Sequence, residues 1–315
     1  ADDLLEAVAA RGDLIDNMAR ELADHIALFH DGAEIVRIDN GTARIRAVIE
    51  GNHDSMAAVS VKILSQDQCS ALHERSLDAL GQVAPLLDRR GMSGHVRHCH
   101  GDLHLANICL WQGRPTLFDC LEFDPDLARI DVLYDLAFLL MDLWHKGLRS
   151  QASLVFNRYL DMRDESSGLP ALPLFLSMRA AVRAHVSATS AGQQEEEARR
   201  TAKCDEARAY LATALRFLDV PPPRLIAIGG LSGTGKSTLA AALVPEIGGA
   251  PGARWLRTDV LRKRLGGVSP EQALPPEAYT RERNAEIYHH LMDEAAAALA
   301  AGRSVIVDGV FADPV

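Results

Sequence analysis

The feature that most constrains this chain is the stretch Gly229–Thr238, GGLSGTGKST, set between the apolar run Leu225–Ile228 and the helix-compatible LAAALVPEI. Gly230, four intervening residues, then Gly235, Lys236 and Ser237 fit the pattern GxxxxGK[ST] in a strand–loop–helix setting. The chemistry accounts for the composition. Glycines allow successive backbone N–H groups to turn inward around phosphate oxygens, and the helix that follows offers its positive N-terminus to them. Lys236 then reaches the β- and γ-phosphates of a nucleotide, and the Ser237 hydroxyl is a ligand for Mg²⁺. Gly230, Ser232, Gly233, Thr234, Gly235, Lys236, Ser237 and Thr238 are the expected nucleotide-binding residues.

A chain of 315 residues has room for two domains of ordinary size. Its net charge of −10 is unevenly spread. From Pro221 onward ten Lys/Arg balance ten Asp/Glu, so the acidic surplus lies in the first two-thirds. An acidic body argues against general nucleic-acid binding, which needs a basic footprint. The five cysteines, Cys69, Cys99, Cys109, Cys120 and Cys204, are odd in number and form no CxxC pair. That composition points to reduced thiols and a cytoplasmic protein. The longest apolar stretch, Val132–Trp144, is interrupted by Asp135 and Asp142, and no signal-peptide pattern opens the chain, so no membrane partner is expected. The chain starts at Ala1 and stops at Val315, just past a strand-like run; a piece of a longer protein, cut at both ends, is expected.

Residues 2–30 have helical periodicity, Asp31–Met56 has the Gly, Asn and Asp content of a connecting loop, and Val59–Leu80 resumes a helical pattern. Val96–Asp131 is more informative. Ile108–Trp111 and Thr116–Phe118 are short strand-like runs around the turn sequence Gln112–Pro115, which predicts a hairpin centred on Gly113. Such a hairpin places Asn107 and Asp119 opposite one another at its open end, with Asp102 in the loop leading in. Asn107 and Asp119 are oxygen donors suited to Mg²⁺, and Asp102 can orient and deprotonate a hydroxyl. The spacing His100-Gly101-Asp102-Leu103-His104-Leu105-Ala106-Asn107 is that of a kinase catalytic loop. Clustered His95, His98, Cys99, His100, His104 and Cys109 lack the paired spacings of a zinc site.

HGDLHLANI, then LFDCLEF and IDVLYDLAFL, resemble the aminoglycoside-phosphotransferase family, which has a protein-kinase-like fold. The resemblance implies that Asp102 is the catalytic base and that Asn107 and Asp119 are metal ligands. It further implies that His100 braces the catalytic loop, and that Asp131 and Asp135 have a mainly structural role where the next helix begins. No glycine-rich loop with a strand lysine precedes Val96, so the expectation is the mostly helical C-lobe of such a fold, its N-lobe lying upstream of Ala1. Residues 132–218 read as mostly helical, with Gln193–Arg200 as a solvated charge run.

Pro221-Pro222-Pro223 breaks the helix. The expected organisation is a kinase-like domain over 1–218, a linker over 219–223 and a P-loop domain over 224–315. In the last, Arg224–Gly229, Trp255–Thr258 and Ser304–Val307 are the expected strands and Ala278–Ala301 a helix, which predicts a parallel sheet with functional residues at its C-terminal edge. Asp308 there has the form of a Walker-B metal-shell aspartate. Asp259 is a candidate for positioning or deprotonating a hydroxyl, or else a plain helix N-cap, and Arg262 is a candidate anion grip. GGLSGTGKST, RTDVLRKRL and SVIVDGVFADP resemble the small P-loop kinases, including zeta-toxin-like and AAA-type kinases. The fold class expected is therefore multidomain, α+β followed by part of an α/β P-loop sheet. Together the resemblances imply Mg²⁺-dependent transfer of the γ-phosphate of ATP to a hydroxyl of a small molecule. The competing readings are a nucleotide-dependent regulatory protein with an inactive kinase-like module, and a polynucleotide-type kinase.

Overall fold

The computed structural model describes residues 2–59, 62–121, 125–231, 233–269 and 271–311. In chain order the elements are helices α1 (Leu5–Ala10), α2 (Asp16–Gly32), α3 (Gly41–Ala57) and α4 (Gln66–Met92), then strands β1 (Val96–His98), β2 (Ile108–Trp111) and β3 (Arg114–Leu117). Next come α5 (Pro125–Ala128), β4 (Arg129–Asp131), α6 (Val132–His145), α7 (Arg149–Met162), α8 (Leu172–Gly192) and α9 (Glu197–Phe217). The last part holds β5 (Leu225–Gly229), α10 (Lys236–Leu243), β6 (Arg254–Arg257), α11 (Thr258–Leu265), α12 (Arg281–Ala300) and β7 (Val305–Gly309).

Two compact units emerge, and neither is contiguous in sequence. The first comprises Ala1–Leu14, Leu28–Leu148 and Ala171–Asp219; the second comprises Ile15–Ala27, Arg149–Pro170 and Val220–Val315. The chain changes unit just before the three prolines, but a single cut there does not separate the two. Most of α2 and all of α7 join the P-loop half, because their polar side chains bond to it. The Asn157 Oδ1 accepts from the Trp255 N–H at 2.7 Å, and Arg158 forks onto Asp24 at 2.5 and 2.7 Å. Hydrophobic periodicity carries no trace of such bonds.

In the first unit α6 is buried on all sides from Val132 to Leu143, as expected of a helix without a polar face. Gly41–Ala57, expected to be a loop, is a 17-residue helix. Its buried positions Ile45, Ile49, Asn52 and Met56 follow helical spacing, which the surrounding Gly, Asn and Asp obscured. The helix N-terminus is satisfied from outside: Thr42 N–H donates to Asp88 Oδ1 of α4 at 2.8 Å, where the expected cap residue Asn40 makes no side-chain bond. Gly41 permits this approach, since a Cβ there would lie 2.5 Å from the Leu87 carbonyl oxygen.

The predicted hairpin is present but shifted by one residue. β2 and β3 pair with Ile108 opposite Leu117 and Trp111 opposite Arg114. The turn is Gln112–Gly113, both with positive φ (51° and 77°), as a two-residue type I′ loop requires. Asn107 consequently faces Phe118, whose N–H donates to the Asn107 carbonyl at 3.1 Å, and Asp119 falls one place beyond.

In the second unit the sheet order is β5-β7-β6, all parallel. Central β7 sends Val305 and Val307 to one face, with Leu261, Ile287 and Leu291 of α11 and α12, and Ile306 to the other, with Ala240 of α10. Burial of each such side chain is worth about 1.5–3 kcal/mol. The P-loop sheet therefore has helices on both faces, as parallel sheets require.

Two outcomes follow from this packing. Gly41→Ala must separate α3 from α4 and should cost the first unit about 1–3 kcal/mol, seen as an earlier urea midpoint by Trp144 fluorescence. An unchanged midpoint would show that the contact is not close in solution.

Candidate functional site

The phosphate-binding loop is built as its sequence dictates. Gly233 and Gly235 have φ of 80° and 84°, and Gly235 is the left-handed residue from which α10 starts. Lys236 Nζ donates to the Leu231 carbonyl at 2.6 Å, and Thr234 Oγ1 to the same carbonyl at 2.8 Å, so the loop holds itself. The Ser237 hydroxyl donates to Asp308 Oδ2 at 2.6 Å. That bond unites the two predicted metal-shell residues, with Asp308 buried at the C-terminal part of β7. Ser232 lies outside the described residues.

A cavity of about 990 Å³ opens in the second unit beside this loop. Gly233, Gly235, Lys236, Ser237, Thr238, Asp308 and Asp259 all line it. Asp259 sits in the first turn of α11, 2.9 Å from Lys263 Nζ and more than half exposed. It is not the helix cap; Arg257 occupies that position, without a side-chain cap bond. Arg262 is a correction. Its guanidinium donates to Ala278 O and to Asn284 Oδ1, each at 2.7 Å, and stacks over Tyr279 at 4.8 Å. It fastens the start of α12, and the arginine on the cavity wall is Arg257.

The remaining wall was not foreseen. Asp16 and Arg20 of α2, and Ser153, Asn157 and Arg158 of α7, line the same cavity. Asn157 and Asp161 lock α7 onto β6: the Asp161 carboxylate meets both Arg254 and Arg257 at 2.8 Å. Arg158 is held protonated well above the ordinary arginine range, first by its hydrogen bonds to Asp24, against the opposing effect of burial. The sequence signal for this wall was available in the SLVFNRYLD run, where Asn157, Arg158 and Asp161 interrupt an otherwise core-facing helix.

The first unit arranges the other predicted set. The Asn107 amide donates to Asp102 Oδ2 at 2.7 Å and to the Asp102 carbonyl at 2.9 Å. Burial raises the Asp102 pKa, but the His104 hydrogen bond and charge, with the Asn107 bond, outweigh it and hold the carboxyl below its ordinary range. The His100 Nε2–H donates to the Phe118 carbonyl at 2.9 Å, tying the loop to the hairpin exit. Asp135, fully buried, accepts from the backbone N–H of His100 (3.2 Å) and Gly101 (2.9 Å) and bonds His30 Nε2 at 3.0 Å. Asp131 caps α6 through Leu133 N and receives Arg90 at 2.6 and 2.8 Å. Asp119, in a left-handed conformation (φ 59°), is exposed and makes no hydrogen bond or ion pair among the described residues. The structure thus joins Asp102 to Asn107 and leaves the Asp119 carboxylate apart from both. The one-residue hairpin shift explains this, since each step along a strand reverses the side-chain face. The five cysteines are free. Among the described residues, no helix is long and apolar enough to cross a membrane.

Residues 225–314 match the family model described as AAA domain. Over nearly its whole length the chain is similar to uncharacterized protein Mb2027c of Mycobacterium bovis and to uncharacterized protein Rv2004c of Mycobacterium tuberculosis. Each is 28% identical over 317 residues, covering 98% of this chain and 62% of the relative. The chain therefore spans less than two thirds of the length of these curated relatives. The domain match assigns a P-loop nucleotide-binding segment to residues 225–314. It does not extend to the first half, where the aminoglycoside-phosphotransferase resemblance stands on its own residues.

Replacing Lys236 by Ala removes a charge-assisted contact to phosphate, worth about 1.5–3 kcal/mol, and should weaken ATP binding by roughly 10- to 100-fold in calorimetric titration of the full chain. Unaltered affinity would remove the phosphate role of the loop. In the first unit, the depressed Asp135 carboxyl stabilises fully above its ordinary value of 3.8, and that contribution disappears as the pH falls through the lower folded value. Asp135→Asn should flatten this acid limb in urea unfolding at graded pH; an unaltered limb would place the titration elsewhere.

Proposed function

We propose that the second unit is an ATP-dependent phosphotransferase acting on a hydroxyl of a small molecule. The observation that carries this reading is the Ser237–Asp308 bond of 2.6 Å at the wall of a cavity that also receives Lys236 and Asp259. Ser237 Oγ and Asp308 Oδ2 are oxygen donors at one point, the donor set that a hard cation such as Mg²⁺ takes. When bound there with the nucleotide, Mg²⁺ supplies charge neutralisation to the phosphates.

The chain's own residues have separable tasks. Backbone N–H groups of the loop and Lys236 orient the triphosphate, and Asp259 accepts the acceptor's proton. The acceptor oxygen forms a bond to the γ-phosphorus as the bond from that phosphorus to the β–γ bridging oxygen breaks. The electron pair leaves with ADP, and the hydroxyl proton passes to the Asp259 carboxylate. Asp259 suits this role because it is accessible from the cavity and carries a single lysine partner.

The first unit enters the proposal as a second phosphotransfer centre with Asp102 as base and Asn107 and Asp119 as metal ligands. Supporting it are the Asp102–Asn107 bond, the His100 brace and the Asp135 bonds beneath the loop. They are the arrangement that the aminoglycoside-phosphotransferase resemblance implies. A cytoplasmic location, with ATP and a small-molecule acceptor as the partners, belongs to the same reading.

The test is phosphate transfer by the full chain with Mg²⁺-ATP across a panel of hydroxyl compounds, followed by mass spectrometry. With the acceptor so found, Asp259→Asn should lower kcat by about 100-fold or more while ATP affinity stays as it was. Full turnover in that variant would remove Asp259 as the base, and tight ATP binding with no transfer to any compound would favour a nucleotide-dependent switch.

A further inference from the structure

Three buried polar atoms on the cavity wall have no hydrogen-bond partner among the described residues: Ser153 Oγ, Trp255 Nε1 and Arg257 Nε. Native structures leave few such groups unpaired, and each calls for an explanation. These belong to one corner. The Arg257 guanidinium stacks on the Trp255 ring at 4.4 Å; the Trp255 N–H is bonded to Asn157; and Asn157 in turn donates to the Ser153 carbonyl at 3.0 Å. Ser153 is itself only 3% exposed.

The chemistry of the corner is one-sided. An indole N–H and a guanidinium N–H can only donate, and a serine hydroxyl can donate as well. The local charges are also unbalanced: Arg254, Arg257 and Arg264 are met by two carboxylates, Asp161 and Glu294. A group that only accepts hydrogen bonds and carries negative charge complements both features.

We infer that Ser153, Trp255 and Arg257 form an oxyanion subsite in the acceptor half of the cavity, so that the acceptor is a small hydroxyl compound bearing a phosphate or carboxylate group. The inference rests on the proposed phosphotransfer at this cavity and deepens it. The anionic group anchors at the α7–β6 corner, and a hydroxyl of the same molecule is presented toward Asp259. Specificity then depends on α7, a helix far upstream of the P-loop, and residues 225–314 alone would lack Ser153.

The experiment uses the full chain with Trp111→Phe and Trp144→Phe, leaving Trp255 as its sole indole. Binding of a non-hydrolysable ATP analogue is measured first; its failure counts against the nucleotide reading, and the titration then proceeds on the same chain carrying Lys236→Ala. With the loop filled, inorganic phosphate and acetate are titrated separately against sodium chloride at matched ionic strength. A saturable change in Trp255 fluorescence with either oxyanion is expected, and whichever binds identifies the phosphate or carboxylate source. Ser153→Ala, which removes one hydroxyl and leaves the Asp161 pairs intact, should weaken that binding about 3- to 10-fold, and Arg257→Gln about tenfold or more. No saturable change with either anion, or affinities unaffected by both substitutions, would overturn the subsite while leaving the nucleotide reading in place.

Discussion

The Asp161 carboxylate, 2.8 Å from Arg254 and 2.8 Å from Arg257, is the contact on which the second unit's cavity depends. Placing an ion of either sign in this setting carries a desolvation cost, repaid only when geometry is good and the remaining polar atoms are bonded. Asn157, one turn earlier on α7, completes much of that bonding through the backbone N–H of Trp255 and the Arg254 side chain. Removing one partner of such a buried set typically costs about 3–5 kcal/mol, because a charge is left unpaired. Its effect is positional: α7 is fixed along β6, and the cavity acquires a wall that the P-loop half does not encode.

The first unit uses the same device for another purpose. Asp135 is buried beneath the 100–107 loop and accepts two backbone N–H groups as well as the His30 contact. Burial alone would neutralise it, yet the hydrogen bonds and nearby positive charge hold it ionised. A fixed carboxylate then orders a loop that has little regular structure of its own. Asp142 adds to this through the Leu105 N–H at 3.0 Å. In this way Asp102 and Asn107 are set in contact although the loop carrying them contains only a single short helical turn.

Both sites place their chemistry where regular backbone ends. Ser237 and Asp308 meet because a parallel sheet sends the end of β7 and the start of α10 to one edge, a consequence of handed crossover connections. Asp259 reaches that edge from the first turn after β6. Arg262, one helical turn further on, is carried past it and serves packing instead. A difference of three residues on a helix is enough to separate a cavity residue from a structural one.

The sequence by itself determined the phosphate loop, the strand–helix alternation that folds behind it, and the pairing of Ser237 with Asp308. These are local patterns whose geometry follows from glycine backbone freedom and from strand and helix periods. It also placed the hairpin and the core helix Val132–His145, because apolar periodicity is written residue by residue. Only the tertiary structure decided the rest. The turn at Gln112–Gly113 set the register and moved Asp119 off the Asn107 position, since register depends on turn geometry and not on strand composition. The helix over Gly41–Ala57 declared itself only once Asp88 supplied its cap and Leu87 its close neighbour. The assignment of α7 to the nucleotide-binding unit was settled by side-chain hydrogen bonds across almost a hundred positions of chain, Asn157 to Trp255 being separated by 98. Bonds of that kind form between residues whose spacing obeys no local rule.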